Sequence, residues 1–490
     1  MGLILKLHQM VIPFIMRTVM LYYLGVQYLG LNSLFASVLQ VLNLAELGVG
    51  SAMVFSMYKP ISDDNTEEIC ALMRLYKLYY RIIGVVIAVV GLIILPFIPY
   101  LIRSDVPNDI NVYILYLLNL FSTVLTYWLF AYKNCILQAH QRVDIISLIT
   151  IIVNTIQYAL QIVVVIIFRN YYLYVVMLII CQVINNISTA ITVTRMFPDY
   201  KAKGKLEKEK VTEINLRIKD LFTSKIGSVV LNSADSIVIS AFLGLTALAI
   251  YQNYFYLISS IIALVQIGFA SIMAGLGNSF ITDTKEKVFS DLKKFTFIFQ
   301  WIIGFCTVCF LCLFQPFMKI WVGEKLMLGM SAVVFFCIYY YFYEVNRLLN
   351  VYKDAAGLWH EDRFRPLTAA LVNLFLNVLL INVWGLYGVI LSTVIAILFV
   401  EMPWLLHNLF TVFFEHNRLN EYLKRLIYYF IVTVGAAIIT YLLCSLVTID
   451  GKWQVLVVRL MICVIVPNII FLFFIIVLRN LNQVISWYKR

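Results

Sequence analysis

Apolar runs of about twenty residues recur along the whole chain, and each is long enough to cross about 30 Å of hydrocarbon as a helix. In hydrocarbon the backbone must bond to itself, which leaves helices and closed barrels as the only spanning structures. A barrel would be written in short alternating segments, and this sequence is not. The composition agrees: of 490 residues, 62% are hydrophobic and 13% charged, with a mean hydropathy of +0.91. The chain therefore reads as an all-α integral membrane protein. Fourteen windows qualify as spans, at 2–24, 31–58, 79–102, 111–132, 144–168, 171–194, 221–243, 247–280, 295–318, 328–352, 366–382, 386–409, 424–447 and 453–478. The first carries Lys6, His8 and Arg17, and does not read as a cleaved signal because no small-residue cleavage site follows it. The eighth is long enough to tilt or to extend past the bilayer. The linkers are short, so no soluble domain is expected on either side.

Charge orients the bundle. Of 37 Lys and Arg, 29 lie at the termini, in the linkers after even-numbered spans or on the span ends flanking them. The opposite side holds six, Arg103, Arg169, Lys319, Lys325, Lys452 and Arg459, and Arg17 and Arg347 lie within spans. The basic side is cytoplasmic by the positive-inside rule, with both termini inside. The longest basic segment, "RMFPDYKAKGKLEKEKVTEINLRIKD" from Arg195, joins spans six and seven. It reads first as a solvated linker against anionic headgroups.

Sliding the chain on itself exposes a repeat. At an offset of 219, "YLGVQYLGLNSLF" from Tyr23 lies over "FLGLTALAIYQNY" from Phe242, matching Gly25 with Gly244. At 220, "RIIGVVIAVVGLIILPF" from Arg81 lies over "WIIGFCTVCFLCLFQPF" from Trp301. At the same offset "YKNCILQAH" from Tyr132 lies over "YKDAAGLWH" from Tyr352, matching His140 with His360. The chain is thus two six-span halves plus two C-terminal spans. An even number of spans per half gives both the same orientation about an axis along the membrane normal, a plan found in transporters. The expected divisions are 1–200 for the first lobe, 201–220 for the basic linker, 221–412 for the second lobe and 413–490 for the last two helices.

The blocks "LGVQYLGLNSLFASVLQVLNLAELGVGSAMVFSMYKPI", "SADSIVISAFLGLTALAIYQNYFY" and "VYKDAAGLWHEDRFR" resemble Wzx-type polysaccharide flippases. Those belong to the polysaccharide-transport branch of the multidrug/oligosaccharidyl-lipid/polysaccharide (MOP) exporter superfamily, and the resemblance covers nearly the whole chain. It implies two six-helix lobes and a cargo of undecaprenyl-diphosphate-linked oligosaccharide, carried to the outer leaflet of the bacterial plasma membrane by alternating access. Membrane lipids and the polysaccharide assembly machinery are the other partners it implies, and no nucleic acid. In this chain little precedes Arg17, so the first helix is short for the family.

Such a task needs cations for the phosphates and polar groups for the sugars. No nucleophile with a base, metal-ligand cluster or P-loop is evident, so neither an enzyme nor a cofactor is expected. Arg17 lies about 10 Å of helix from the outer end of its span. It either snorkels or neutralises a carboxylate, or it contacts a diphosphate, which guanidinium geometry suits. Lys6 and Lys225 occupy equivalent repeat positions at the starts of spans one and seven, as headgroup contacts or as ordinary anchors. Glu46, in "LAELGVGSA", is a coupling site, a partner for Arg17, or a packed carboxylate bonded to nearby backbone. Asp235 is a second coupling candidate, beside Ser236, the repeat equivalent of Arg17. Glu344 and Arg347, three apart on one helix face, read first as a self-neutralising pair. Polar residues such as Asn154, Gln161 and Asn373 read mainly as interhelical bonding groups, and the 31 tyrosines mainly as interfacial anchors. Cys306, Cys309 and Cys312 trace one helix face and read as packing residues rather than metal ligands. The rival functions are a drug/cation antiporter of the same superfamily and, behind it, a membrane polymerase or glycosyltransferase.

Overall fold

The computed structural model describes residues 2–103 and 106–488, with side chains from Ile4 to Phe474 apart from positions 104, 105, 224, 232, 274 and 281. Every regular element among the described residues is helical. Twelve helices are long and apolar enough to cross a membrane. A thirteenth span is the pair Val112–Trp128 and Ala131–Ala139, bent by 46° where Phe130 adopts φ 57°. Met330–Ala355 supplies the fourteenth position; it is long enough, but Glu344, Arg347 and Lys353 make it polar. All fourteen windows of the sequence thus coincide with helices, in an all-α membrane fold.

The helices start where the sequence offers caps. Asn65 accepts from the Glu68 amide at 3.1 Å and donates back to the Glu68 carboxylate at 3.2 Å, opening span three at Thr66. Thr284, its repeat equivalent, caps Lys285–Trp321 through the Lys287 amide. Both satisfy amides that a first turn leaves without partners. Spans one and two are joined through Gly25 (φ 121°, ψ 169°), and spans seven and eight through Gly244 (φ 88°, ψ 175°). That region is open essentially to glycine alone, so the aligned glycines mark one turn used twice.

The chain forms two compact units. The first comprises Met1–Gln252 and Pro366–Leu374. Within it span one packs on spans two and five, and span five on span six. Span seven, Lys208–Leu243, packs on span two. Gly227 is what lets residues 366–374 join this unit, since a Cβ there would run into the Pro366 backbone. Arg103 closes the far end of span seven, donating to the Phe242 carbonyl at 2.6 Å, a cation at a helix C-terminus.

The second unit comprises Asn253–Arg365 and Phe375–Arg490. Span nine is its axis, flanked by Met330–Ala355, Leu419–Ser445 and Lys452–Tyr488. Cys312, Cys444 and Cys463 from three of these helices bring their sulfurs within 4.8 Å of one another, inside an apolar cluster with Val308, Ala436 and Phe471. Cys312 therefore meets partners from other helices rather than its neighbours along span nine. Span twelve widens into π-helical turns at Ile397–Glu401 and Leu409–Phe413. Pro403, with no amide hydrogen to give, follows the first of them, and a widened turn absorbs the missing bond.

Gly25→Ala and Gly244→Ala should each destabilise the protein by about 1–3 kcal/mol. Gly435→Ala, in a helix with open space around the α-carbon, should be neutral or slightly stabilising. Thermal unfolding in detergent, followed by fluorescence-detected size exclusion, separates the two classes.

Candidate functional site

In the first unit the polar residues gather where span two breaks. Val26–Leu42 ends in a tighter turn, Asn43–Glu46, and the helix resumes at Val49 after Gly48 in the left-handed region (φ 87°). A Cβ at Gly48 would also lie 2.6 Å from the Leu221 side chain, so the break and the approach of span seven both need glycine. Three buried tyrosines serve this break. Tyr80 donates to Glu46 at 3.1 Å, Tyr76 donates to Tyr80 at 2.5 Å, and Tyr127 donates to Asn43 at 3.1 Å. From span seven, Lys225 donates to Ser51 at 3.4 Å and interacts electrostatically with Glu46. Glu46 and Lys225, selected separately from the sequence, are thus neighbours.

The other selected residues of this unit have further neighbours. Arg17 is half-buried on span one, within electrostatic reach of Tyr174 on span six. Lys6 is exposed near the start of span one, unlike its half-buried repeat equivalent Lys225. Asp235 is buried and accepts from Tyr251 at 3.3 Å, while Ser236 accepts from Gln252 at 2.8 Å.

The second unit concentrates its charge along span ten. Glu344 is fully buried, 3.9 Å from Arg347, and neither of its oxygens has a hydrogen-bond partner among the described residues. The pair is therefore looser than a closed ion pair. Further along, Arg365 makes a forked contact with Asp362 at 2.6 and 2.8 Å and donates to Asn350 of span ten at 2.6 Å. Glu401 lies 3.5 Å from Arg365 and accepts from Asn346 at 2.5 Å. Lys353 bridges Asp354 at 2.6 Å and Asp362 at 3.4 Å. This network holds span ten, the start of span eleven and the π-helical part of span twelve together.

A family model described as "Polysaccharide biosynthesis protein" matches residues 2–276, more than half of the chain. The chain belongs to this polysaccharide biosynthesis family. Its fold is that of the MOP exporters. The lipid II flippase MurJ, in an inward closed conformation, superposes with a TM-score of 0.69 at 14% identity, covering 98% of this chain and 99% of that one. An inward-facing multidrug resistance MATE transporter of the MOP superfamily gives 0.64 at 14% identity, over 86% and 99%. A point mutant of the Vibrio cholerae MATE transporter VcmN gives 0.56 at 15% identity, over 82% and 93%. No curated protein sequence matches the chain. Sequence resemblance and fold agree on the superfamily.

Sequence reading passed over several residues of this family member. Tyr76, Tyr80 and Tyr127 were grouped with interfacial anchors, yet all three are buried, as are Tyr116, Tyr254 and Tyr340. The spacing of Tyr76 and Tyr80, four apart on one face, is the signal that could have marked them. Asp362 and Arg365 sit three apart in "WHEDRFR", at the entrance to a span. Their burial, and the pairing of Arg365 with Glu401 from a distant span, have no local signature.

Asp362→Ala removes the forked partner of buried Arg365, leaving it Asn350 and the longer contact with Glu401, and should cost about 3 kcal/mol. The double change Asp362→Leu, Arg365→Met should recover only part of that loss, because it leaves Glu401 without its cation. Comparing unfolding temperatures of the single and double variants in detergent checks both expectations.

Proposed function

We propose that this protein is a flippase that moves undecaprenyl-diphosphate-linked oligosaccharide from the cytoplasmic to the outer leaflet of the bacterial plasma membrane, for capsule or related surface-polysaccharide assembly. One observation carries the reading: a member of a polysaccharide biosynthesis family holds half-buried cations within its spans, Arg17 on span one and Lys225 on span seven. At low dielectric a guanidinium or ammonium attracts a phosphate far more strongly than in water, and the arginine fork matches its oxygens. Lys6 and Arg347 are secondary contacts in this reading. The fold shared with MurJ, titled a lipid II flippase, supports a lipid-linked cargo.

In this reading residues 1–200 and 221–412 act as the two lobes of an alternating-access cycle, with 201–220 linking them and 413–490 appended. Both termini are cytoplasmic. The task breaks no covalent bond, so the protein acts as a transporter and not as an enzyme, beside the machinery that assembles the polysaccharide. Glu46 suits a coupling role, since a carboxylate between a lysine and a tyrosine hydroxyl can exchange its proton or its partner as the cargo arrives. The antiporter reading draws on the buried Asp235 and on Glu344, whose oxygens lack hydrogen bonds among the described residues.

Reconstitution into liposomes with undecaprenyl-diphosphate glycans, following leaflet accessibility with and without ion gradients, tests the choice. Transbilayer movement of at least one glycan is expected. Arg17→Ala and Lys225→Ala should each slow it by about tenfold or more at unchanged protein abundance. Exchange of drugs or cations without movement of any glycan would establish the antiporter instead.

A further inference from the structure

The first half of the repeat has a face that the second half covers. At the offset of 220, Arg74, Lys77 and Arg81 of span three correspond to Lys294, Phe297 and Trp301 of span nine. In the second unit Lys294 pairs with Asp291 at 2.9 Å. There Phe297 meets Tyr429 of span thirteen, and Trp301 donates to Asn468 of span fourteen at 2.7 Å. The equivalent stripe of span three carries three cations, and facing it is the segment between spans six and seven.

That segment is folded against span three. Arg74 donates to the Gly204 carbonyl at 2.8 Å, the Cys70 thiol donates to the Asp199 carbonyl at 3.5 Å, and Lys210 pairs with Glu68 at 2.6 Å. Between them lies a cleft of about 820 Å³. Arg74, Lys77, Arg81, Lys205 and Lys208 line it, and no carboxylate does. Among the described residues, none of the five has a carboxylate oxygen within the 4.0 Å of an ion pair. Elsewhere on the basic side charges alternate in sign, as in Lys293 with Glu421 and Arg418 with Glu286. Five like charges around one cavity repel one another unless an anion joins them. The remaining lining is apolar, including Leu75, Leu78 and Leu206, and Leu78 is 51% exposed.

We propose that this cleft between span three and the 195–220 linker is a binding site for phosphate-bearing lipid headgroups of the inner leaflet. The cations take the phosphate oxygens, and the leucines take the first carbons of the lipid tail. Span three, Thr66–Leu101, is 36 residues long, about 54 Å of helix against about 30 Å of hydrocarbon. Its basic end therefore stands at headgroup level on the side that the charge count reads as cytoplasmic. A polyprenyl diphosphate waiting to be moved and a resident anionic glycerophospholipid share this chemistry. Only the first source rests on the flippase reading.

The test uses the full-length protein in nanodiscs of neutral lipid, doped with fluorescent undecaprenyl diphosphate or with fluorescent phosphatidylglycerol. The double variant Lys205→Gln, Lys208→Gln removes two lining cations. Lys201→Gln, Lys203→Gln removes the same charge from the same linker outside the cleft. The lining variant should weaken binding of at least one lipid on the order of tenfold, and the matched variant should leave it within about twofold. Selective loss of undecaprenyl diphosphate assigns the cleft to cargo, and loss of phosphatidylglycerol assigns it to resident lipid; either upholds the site. Equal effects of the two double variants, or no effect of either, would overturn it. Leaflet movement by the wild type is scored separately in liposomes. A protein that moves glycan lipids with an indifferent cleft defeats this proposal alone, and one that binds at the cleft but moves none defeats the flippase reading alone.

Discussion

A charge inside hydrocarbon has to be answered within a few ångströms, and that requirement organises the polar interior of both units. Removing water from a carboxylate or a guanidinium costs several kcal/mol even after relaxation, so buried charges such as Arg365 and Glu46 recruit neighbours from other helices, whereas Glu344 has Arg347 of its own helix. Arg365, buried at the entrance to span eleven, obeys the same rule. It draws on Asp362 beside it, Asn350 from span ten and Glu401 from span twelve. These contacts fasten helix ends that apolar packing alone would leave free to slide, because lipid tails offer the same apolar contacts as a neighbouring helix. In the first unit Glu46 has a comparable role on a smaller scale, with Tyr80 on one side and Lys225 on the other.

The duplicated frame makes the differences between the halves informative. Turns and caps recur, as Gly25 with Gly244 and Asn65 with Thr284. The charges recur only in part: Lys6 aligns with Lys225 and Arg74 with Lys294, but Arg17 faces Ser236 and Arg365 faces Ile145. Span two breaks at residues 43–48, whereas span eight, Leu245–Thr282, runs without interruption. A duplicated scaffold keeps what folding demands of each copy, and the departures mark where the copies have taken on separate tasks. On that argument Lys77 and Arg81, which face Phe297 and Trp301 across the alignment, and the break in span two mark where the first half has departed from the second.

The fold was largely legible because its determinants are local. A hydrophobic run of sufficient length announces a span, and glycine in a closed backbone region announces a turn. The selected charges were legible one at a time, since any ionisable group within a span stands out. Their pairing was not. Nothing near Glu46 in sequence announces Lys225, which lies 179 positions away, and Glu401 gives no local sign of Arg365. The tyrosines were misjudged for a related reason. An amphipathic ring suits the membrane interface and the inside of a bundle equally well, and only the neighbours brought by folding decide between the two.

The break in span two shows why such neighbours come as a set. Interrupting a helix in hydrocarbon exposes backbone amides and carbonyls that water cannot reach, so each must find a partner within the protein. Here the backbone closes locally, the Leu47 amide donating to Leu44 at 3.0 Å and the Ala52 amide to Gly48 at 2.9 Å, while Tyr127 reaches the Asn43 side chain and Tyr80 the Glu46 side chain. Gly48 and Gly50 leave room for them, since a Cβ at Gly50 would press on both Glu46 and Tyr76 at 3.2 Å. The tyrosine shell therefore serves the side chains of the break, the Glu46 carboxylate among them. A change in what Lys225 binds alters the electrostatic setting of Glu46, and through Tyr80 it reaches the hydroxyl pair behind it. Capture of an anion by that lysine would thus be felt at the break in span two, where Glu46 and its tyrosine partners lie.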